Sequence, residues 1–320
     1  MRYSLLALLL CQLAQSTVSA ANAMRAIVMT DGKLQVQAVP IPEPQTGRVR
    51  IRVRAASVNP VDWKLAERAV PGNHSIPGRD LAGVIDFVGP EAGGWHAGQS
   101  VIAIAAAGAY ADFAIASIHA LALKPTHMSF AEAAGMPVVG ETAWRAIVTV
   151  GNVQPGQRVL IHGGAGGVGS SAVQIAKARG AHVTATASPQ PQRPAPGPGC
   201  RRSHRLPHRA LRGLTEESGC RPEHSGCGHQ PSLDRHGQNR WCAGLGGGCT
   251  ALRLARPRRS TAPSPDPSRE SFWGALSDLA EHGQFHITID RRLPLAEAAK
   301  AWELNRPGHT GGKIILEVSH

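Results

Sequence analysis

Residues 157–186 read QRVLIHGGAGGVGSSAVQIAKARGAHVTAT, and this stretch decides the fold. Its first six residues, 157–162, contain the apolar run Val159, Leu160 and Ile161 and predict a strand. A glycine-rich turn follows, then 170–179 with the apolar spacing of a helix, and then 180–186 as a second strand. The order strand, turn, helix and strand predicts a βαβ unit with parallel strands, and therefore an α/β fold with a doubly wound sheet.

The turn carries Gly164, Gly166 and Gly169 at the spacing of the dinucleotide-binding fingerprint. We expect Gly164 to permit a tight turn and Gly169 to let the helix pack closely on the strand. Gly166 would let the backbone approach a pyrophosphate, whose charge meets the helix N-terminus. Gly167 and Val168 complete this predicted cofactor-binding loop. The alternative is a glycine-rich turn that holds no ligand.

The end of the second strand bears on the choice of cofactor. An NAD site usually places Asp or Glu there, against the ribose 2′-hydroxyl, and a carboxylate would repel a 2′-phosphate. Thr186, Ala187 and Ser188 stand there instead. The sequence therefore predicts NADP, with Ser188 donating a hydrogen bond to the phosphate, unless Ser188 merely ends the strand.

The chain has 320 residues, of which 42% are hydrophobic, and a formal net charge of +12. That is enough for two domains, and no apolar run approaches the roughly 18 residues of a membrane span. Residues 1–23 combine an early positive charge, an apolar stretch and small residues, which predicts a signal peptide and export to the periplasm. The alternative is a cytoplasmic protein that starts at Met24.

Residues 24–145 predict a small β-rich domain, because Gly, Pro and Asn divide this part of the chain at short spacing. Alternating or apolar runs predict strands at 49–53, 83–88 and 100–104. Residues 129–146 predict a helix, in which Ser129 and Glu132 have the spacing of a capping box.

Further motifs follow one another along the chain: VNPVDWK at 58–64, PGRDLAG at 77–83, GAYAD at 108–112, ETAW at 141–144 and HTGGKII at 309–315. With the glycine loop between them, the chain resembles the zinc-independent quinone oxidoreductase branch of the medium-chain dehydrogenase/reductase family. The resemblance covers 24–187 and 271–318.

The resemblance implies a GroES-like catalytic domain at 24–145, to which a C-terminal segment at 286–320 returns. It also implies a Rossmann domain at 146–285 that binds NADP. The zinc-dependent relatives carry a Cys in the first motif and Gly-His-Glu in the second, where this chain has Asn59 and Gly-Arg-Asp at 78–80. We therefore expect no metal, so hydrogen-bond donors would polarise the substrate carbonyl.

By resemblance, the catalytic candidates are Asn59, Asp62, Lys64 and Thr142. Asn59 and Thr142 would contact the substrate or the nicotinamide, and Asp62 and Lys64 would shape the pocket or contact the cofactor. Each has a structural alternative. Asn59 precedes a proline and suits a turn, Asp62 suits a turn cap, and Lys64 suits a solvated surface.

Other residues of the motifs are expected to be structural. Tyr110 fits the core better than catalysis. Arg79 and Asp80 have a simple role open to them, which is to pair with each other. For His309 and Lys313, packing and surface exposure are the default expectation.

Residues 188–270 differ in composition from the rest of the chain. They contain no Val, Ile, Met, Phe, Tyr or Lys, but 12 of the 24 prolines, five of the six cysteines, and 14 Arg against six acidic residues. Parallel strands are normally rich in Val and Ile, so this tract does not predict the remaining Rossmann strands. One interpretation is a basic disordered insert that binds nucleic acid, and another is zinc binding by Cys and His. The absence of interleaved aromatic residues and of known finger spacings argues against both.

The third interpretation is a shifted reading frame, because Arg, Pro, Gly, Ala, Cys and His are what a GC-rich gene yields out of frame. Suitable synonymous codons for residues 194–208, read one nucleotide later, give LLRALGADEVIDYR, which is typical of the family at this point. The hypothesis places a frame change near codon 188 and a compensating change before about 271.

These observations predict an NADPH-dependent reductase of a quinone, an activated enone or a carbonyl. The alternatives are a non-catalytic nucleotide-binding relative and an inactive product with a damaged cofactor domain. The expected partner is a small-molecule substrate, with no nucleic acid and no membrane span, and a homodimer is left open.

Overall fold

A computed structural model of the chain describes residues 22–68, 74–105, 108–187, 203–205, 241–245, 248–252, 267–308 and 310–319. The predicted signal peptide at 1–23 lies almost wholly outside these ranges. Ser188, His309 and most of the tract 188–270 also lie outside them, including most of the Cys and His residues considered for zinc. Within the described ranges, no helix is long and apolar enough to cross a membrane.

Strands form in both predicted domains. Their bounds are β1 Ala23–Thr30, β2 Lys33–Pro40, β3 Arg48–Val58, β4 Asp80–Val88, β5 Ser100–Ile104, β6 Phe113–Ser117, β7 Leu121–Leu123, β8 Arg158–His162, β9 His182–Ala187, β10 Ser203–Arg205, β11 Trp241–Leu245, β12 Gly248–Leu252, β13 Ile289–Pro294 and β14 Lys313–Glu317. The α-helices are α1 Pro60–Ala66, α2 Phe130–Ala134, α3 Pro137–Trp144, α4 Gly167–Ala178, α5 Pro267–Glu281 and α6 Ala298–Asn305.

The first hairpin follows from local sequence. Asp31 and Gly32 both have positive φ, at 48° and 77°, as a two-residue hairpin turn requires. The turn joins β1 to β2, which pair antiparallel from Thr30 opposite Lys33 onwards. The β-rich domain therefore begins with a tight antiparallel hairpin.

The β-rich domain is built on one sheet with the strand order β13-β14-β3-β4-β5-β7. Strand β3 is long enough to take two partners on one edge, with β6 along its first half and β14 along its second. Strand β14 pairs antiparallel with β3 and parallel with β13. The C-terminal segment thus returns to the β-rich domain, as the resemblance implied.

The predicted helix at 129–146 is wrong in its extent. Its N-terminal capping box is present, since Ser129 Oγ accepts the Glu132 N–H at 3.2 Å and Glu132 Oε2 accepts the Ser129 N–H at 2.9 Å. However, α2 ends before Gly135, and a separate helix α3 starts at Pro137. Proline has no N–H to continue the first helix, which explains the break. A π-helical turn over Arg145–Val150 then follows α3.

The βαβ unit is confirmed, although α4 begins at Gly167 and not at 170. Strands β8 and β9 are parallel, and β10 continues the sheet beside β9 in the same direction. On the other edge of β8, β11 runs antiparallel and pairs with β12 as a hairpin. The second domain is therefore Rossmann-like on one side of β8 and antiparallel on the other.

Strand β14 lies between two hydrophobic clusters, because successive side chains of a strand face opposite ways. Ile314 and Leu316 belong to the cluster inside the β-rich domain, which also contains Ile51, Leu81, Tyr110 and Trp302. Ile315 belongs to the cluster around α3, α4 and α5, which also contains Met136, Ile161, Ile175 and Leu276. This strand therefore joins the two domains through their cores.

Candidate functional site

Three neighbouring strands bring three polar side chains to one end of the β-rich sheet. Asp80 lies opposite Ser57 across the pair β4 and β3, and Ile314 lies opposite Val58 across the pair β14 and β3. Asn59, which follows β3, is therefore set between Asp80 and Lys313. Their side chains are buried, with relative exposures of 2% for Asn59, 0% for Asp80 and 4% for Lys313. We call these three residues the buried triad.

The triad is held by direct hydrogen bonds. Lys313 Nζ donates to Asn59 Oδ1 at 2.6 Å and to the Val58 carbonyl at 3.3 Å. Asn59 Nδ2 donates to Asp80 Oδ2 at 2.9 Å, and the same Asp80 oxygen lies 3.7 Å from Lys313 Nζ. A buried charge is tolerated when it is paired and hydrogen-bonded, which is the case for both ions here.

Asp80 also ties the triad to helix α3. Its second oxygen, Oδ1, accepts the Val138 N–H at 2.9 Å, in the first turn of that helix. A carboxylate there satisfies a helix N–H and meets the positive end of the helix dipole. The expected alternative role for Asp80, a pairing with Arg79, is therefore not its main contact, which is to Asn59, Val138 and Lys313.

Burial acts in opposite directions on the two ions of the triad. It raises the pKa of the Asp80 carboxyl, an effect that the Lys313 ammonium and the Asn59 amide oppose. It lowers the pKa of the Lys313 ammonium, which Asp80 and Asp62 oppose. The attraction between Lys313 and Asp80 therefore opposes the desolvation that each of the two groups suffers.

A second buried polar group adjoins the triad. Asp62 lies in the first turn of α1, where Oδ2 accepts the Asn59 backbone N–H and the Tyr110 hydroxyl, each at 2.8 Å. Tyr110 Oη is in turn 3.4 Å from Trp302 Nε1, which donates to it. Asp62 therefore caps the helix, as its structural alternative predicted, and Tyr110 is a core residue as expected.

The Asp62 carboxyl is only partly satisfied. Among the described residues, its Oδ1 atom has no hydrogen-bond partner although it is buried. Burial raises the pKa of Asp62 to about 7, the Asn59 N–H and the Tyr110 hydroxyl lower it, and the charge of Asp80 raises it further. Burial also raises the pKa of the Tyr110 hydroxyl, and the charge of Asp62 raises it further. The Asp62 carboxyl is thus poised to take up a proton near neutral pH.

The other two catalytic candidates lie outside the triad. The Thr142 hydroxyl donates to the Val138 carbonyl at 2.7 Å, one helical turn back along α3. Its side chain is partly exposed. The Lys64 ammonium is also partly exposed and lies 5.3 Å from the centre of the Trp63 ring, with which it makes a cation–π contact. Thr142 is linked to the triad through Val138 and Asp80, whereas Lys64 points elsewhere.

The glycine loop has the tight contacts that its sequence predicts, but not all at the predicted positions. The positive φ, 70°, belongs to Gly163 and not to Gly164. A Cβ atom at Gly164 would lie 2.8 Å from the Ala185 Cβ, so close packing explains that glycine. A Cβ at Gly169 would collide with the Gly163 carbonyl oxygen, which confirms the close packing expected there.

At Gly166, a Cβ atom would meet only the Gly163 oxygen, at 3.4 Å. This residue is the N-cap of α4, and its backbone is extended. The open approach at Gly166 and the N–H groups of the first turn of α4 suit a pyrophosphate. Val168 is partly buried and packs against the cluster around α3 and α4. The loop therefore fits the dinucleotide predicted for it.

Lys313 has a role that the sequence did not reveal. Packing and surface exposure were its default expectation, and the structure makes it the buried cation of the triad. Its stem also reaches the glycine loop, since a Cβ at Gly167 would lie 3.2 Å from Lys313 Cδ. The signal in the sequence was its position directly before the apolar run Ile314, Ile315 and Leu316, which predicts a buried strand.

Comparison with known proteins shows which family shares this sequence and fold. The family model described as "Alcohol dehydrogenase GroES-like domain" matches residues 45–150, and the one described as "Zinc-binding dehydrogenase" matches 233–316. A quinone-oxidoreductase homolog of Spinacia oleracea is 29% identical over 295 residues, covering 82% of this chain and 87% of its own. The chain belongs to the medium-chain dehydrogenase/reductase family.

Further relatives agree with this membership. The quinone oxidoreductase of Homo sapiens is 35% identical over 133 residues, 40% of each chain. A solved NAD-dependent alcohol dehydrogenase is 25% identical and covers 92% of this chain and 100% of its own, with a TM-score of 0.70. The quinone oxidoreductase of Coxiella burnetii, 23% identical with a TM-score of 0.66 over 93% of this chain and all of its own, has the same fold.

As a medium-chain dehydrogenase/reductase, the chain is an oxidoreductase whose family points to a nicotinamide cofactor and a small-molecule substrate. The second family match starts at 233, inside the unusual tract, so the resemblance resumes earlier than the expected 271. Among the described residues there is no group of three His, Cys, Asp or Glu side chains that could hold a metal.

We expect Gly169→Ala to destabilise this medium-chain dehydrogenase/reductase by about 1–3 kcal/mol, because the new methyl group would force the Gly163 carbonyl to move. Gly166→Ala is the matched control, since the space there is open, and it should cost about 1 kcal/mol or less through the poorer N-cap. Denaturant unfolding of both variants measures the difference. Equal losses would contradict the packing role of Gly169.

We expect the stability of the wild type to fall as the pH rises from about 4 to about 7. The unfolded chain releases the Asp62 proton near its ordinary pKa of about 4, whereas the folded chain keeps it until about 7, at about 1.4 kcal/mol per unit. Asp62→Asn keeps an oxygen for the Asn59 N–H but has no charge to form, so it should lose this part of the pH dependence.

The measurement is the free energy of unfolding of both proteins over a pH series. The Asp80 carboxyl is present in both but is coupled to Asp62, so the difference between the two curves reports the titration of Asp62 together with that coupling. Two curves that run parallel from acid to neutral pH would show that the Asp62 pKa is not raised.

Proposed function

We propose that this chain is a reductase that transfers a hydride from NADPH to a quinone, an activated enone or a carbonyl without a metal ion. The observation that carries the proposal is the contact between the glycine loop and the buried triad. Lys313 bonds Asn59 through its ammonium, while its stem lies against Gly167, the first residue of α4. A dinucleotide on the loop would therefore have its reactive end beside the polar cluster of the β-rich domain.

On the nucleotide side, the open approach at Gly166 supports binding of the pyrophosphate at the start of α4. NADPH, when bound, supplies the hydride, and the chain supplies binding and orientation. The preference for NADPH over NADH rests on Thr186, Ala187 and Ser188, where no carboxylate faces the ribose. The Thr186 carbonyl accepts the Gly164 N–H at 2.8 Å, which holds this strand end against the loop.

On the substrate side, we assign Thr142 the direct contact, because its partly exposed oxygen keeps a free acceptor site while the hydroxyl proton goes to Val138. The Asn59 amide is fully engaged by Lys313, Asp80 and the Ser57 carbonyl, at 3.4 Å for the last. We therefore assign Asn59 to the wall of the pocket. Asp62 sets the start of α1 and so shapes that wall, whereas the Lys64 ammonium contacts Trp63 and is given no part in it.

A second candidate is that this chain is a damaged product of a reductase gene. It is favoured by β11, which runs antiparallel to β8. In a doubly wound dinucleotide fold, the strand on that edge is parallel and supplies part of the cofactor crevice. A shifted frame that begins near 188 and ends before 233, where the family match resumes, would remove that strand.

We expect the purified chain to oxidise NADPH when a benzoquinone or a naphthoquinone is added, at least about tenfold faster than with NADH. Gly166→Ala should abolish tight NADPH binding while the fold persists, because its methyl group would occupy the approach of the pyrophosphate. The readouts are the absorbance of reduced nicotinamide and the thermal shift on adding NADPH. Binding without quinone-dependent oxidation would indicate the non-catalytic relative instead.

If the chain is instead a damaged product, resequencing of the gene from codon 180 to codon 275 should find a base lost or gained near codon 188. The corrected frame should then encode Val- and Ile-rich strands within 188–270, and its product should bind NADPH more tightly than this chain. An intact frame across this interval would end the frameshift proposal, and NADPH binding by the printed chain would argue against damage.

A further inference from the structure

Lys313 is a charged residue whose burial requires an explanation beyond packing. It is the first residue of β14, its side chain is 4% exposed, and its ammonium is surrounded by three oxygen acceptors, on Val58, Asn59 and Asp80. A methionine would fill the same space without the desolvation cost of a charge. The position therefore uses the ammonium for something that an apolar side chain does not supply.

One such use is to fix the orientation of the Asn59 amide. A lysine ammonium only donates hydrogen bonds, and an ionised carboxylate only accepts them. Asn59 lies between the two, with Oδ1 at 2.6 Å from Lys313 Nζ and Nδ2 at 2.9 Å from Asp80 Oδ2. Turning the amide over would place its NH2 group against the ammonium and its oxygen against the carboxylate. Charge alone therefore selects one of the two amide orientations.

The stem of Lys313 is constrained as well. A Cβ atom at Gly167 would lie 3.2 Å from Lys313 Cδ, and one at Gly135 would lie 3.4 Å from Lys313 Cγ. The stem thus passes between the end of α2 and the first residue of α4, where only glycines leave it room. Lys313 touches the dinucleotide loop with its methylenes and the substrate-side cluster with its ammonium.

We propose that Lys313 is a positioning residue of the reductase: its ammonium fixes the Asn59 amide and its stem sets the distance between that amide and the glycine loop. The proposal rests on the proposed function, because it assumes that the hydride passes from NADPH held at the glycine loop to a substrate that lies beside the Asn59 amide. Since small displacements of reacting groups slow a transfer by large factors, loss of the ammonium is expected to lower kcat.

The first variant is Lys313→Met, which keeps an unbranched stem and removes the charge. We expect kcat for the quinone to fall about tenfold or more, with the Kd for NADPH changed by no more than about twofold, because the contact with Gly167 remains. The variant also leaves Asp80 without its ion partner, so its stability should fall. Lys300→Met, at an exposed lysine paired only with Glu297, is the surface control and should leave kcat unchanged.

The double variant Lys313→Met with Asp80→Asn separates positioning from stability. The uncharged amide at position 80 can keep its oxygen on the Val138 N–H and donate to Asn59 Oδ1 once the Asn59 amide has turned over. The double variant therefore has no unpaired buried carboxylate, and it restores the hydrogen bond between 59 and 80 in the reversed orientation. We expect the thermal midpoint to recover towards that of the wild type while kcat stays low. Recovery of kcat together with stability would show that Lys313 is merely structural and would overturn the proposal.

A readout that needs no activity is the NMR signal of the Asn59 side-chain amide, assigned by its disappearance in Asn59→Asp. We expect this signal to shift in Lys313→Met and to stay in place in Lys300→Met. An unmoved signal in Lys313→Met would overturn the inference even if the wild type proves to be an active reductase. A wild type that oxidises no NADPH would instead refute the proposed function, while the amide signal still decides whether Lys313 orients Asn59.

Discussion

A lysine, an asparagine and an aspartate meet at one end of the β-rich sheet, and the rest of the site is arranged around their contact. Lys313 comes from the last strand, Asn59 opens helix α1, and Asp80 begins β4 and holds the first turn of α3. A charge buried without its partner costs several kcal/mol, so the native position of each of these elements depends on the presence of the others. The triad thus sets the relative positions of two strands, two helices and the glycine loop.

The features that the sequence predicted correctly have local causes. The βαβ unit, the capping box of Ser129 and Glu132 and the strand at 100–104 each depend on residues close together in the chain, whose spacing and chemistry are visible in the sequence. The helix break at Pro137 was also a local signal, and it was missed because the apolar pattern continues across it.

The features that were missed depend on distant residues. Lys313 is buried because Asn59 and Asp80, more than 200 positions earlier, provide its oxygen partners. The tight position in the glycine loop is Gly163, while Gly164 is needed because Ala185 of the next strand approaches it. No periodicity in the sequence reveals such contacts between residues that are distant along the chain. The antiparallel β11 is a different case, because the composition of 188–270 already argued against the parallel strand that a doubly wound sheet requires.

Strand β14 comes after every other described element, yet it pairs with β3 and lies between both hydrophobic clusters. During synthesis on the ribosome, β3 therefore emerges long before β14, with an open edge and with Asn59 and Asp80 lacking their cation. This edge can close only after β14 has left the exit tunnel. The pairing of β14 with β3 joins residues that are far apart in the sequence, which favours slow completion of folding. The unpaired backbone groups along the edge of β3 are therefore exposed for longer, and chaperones can bind there.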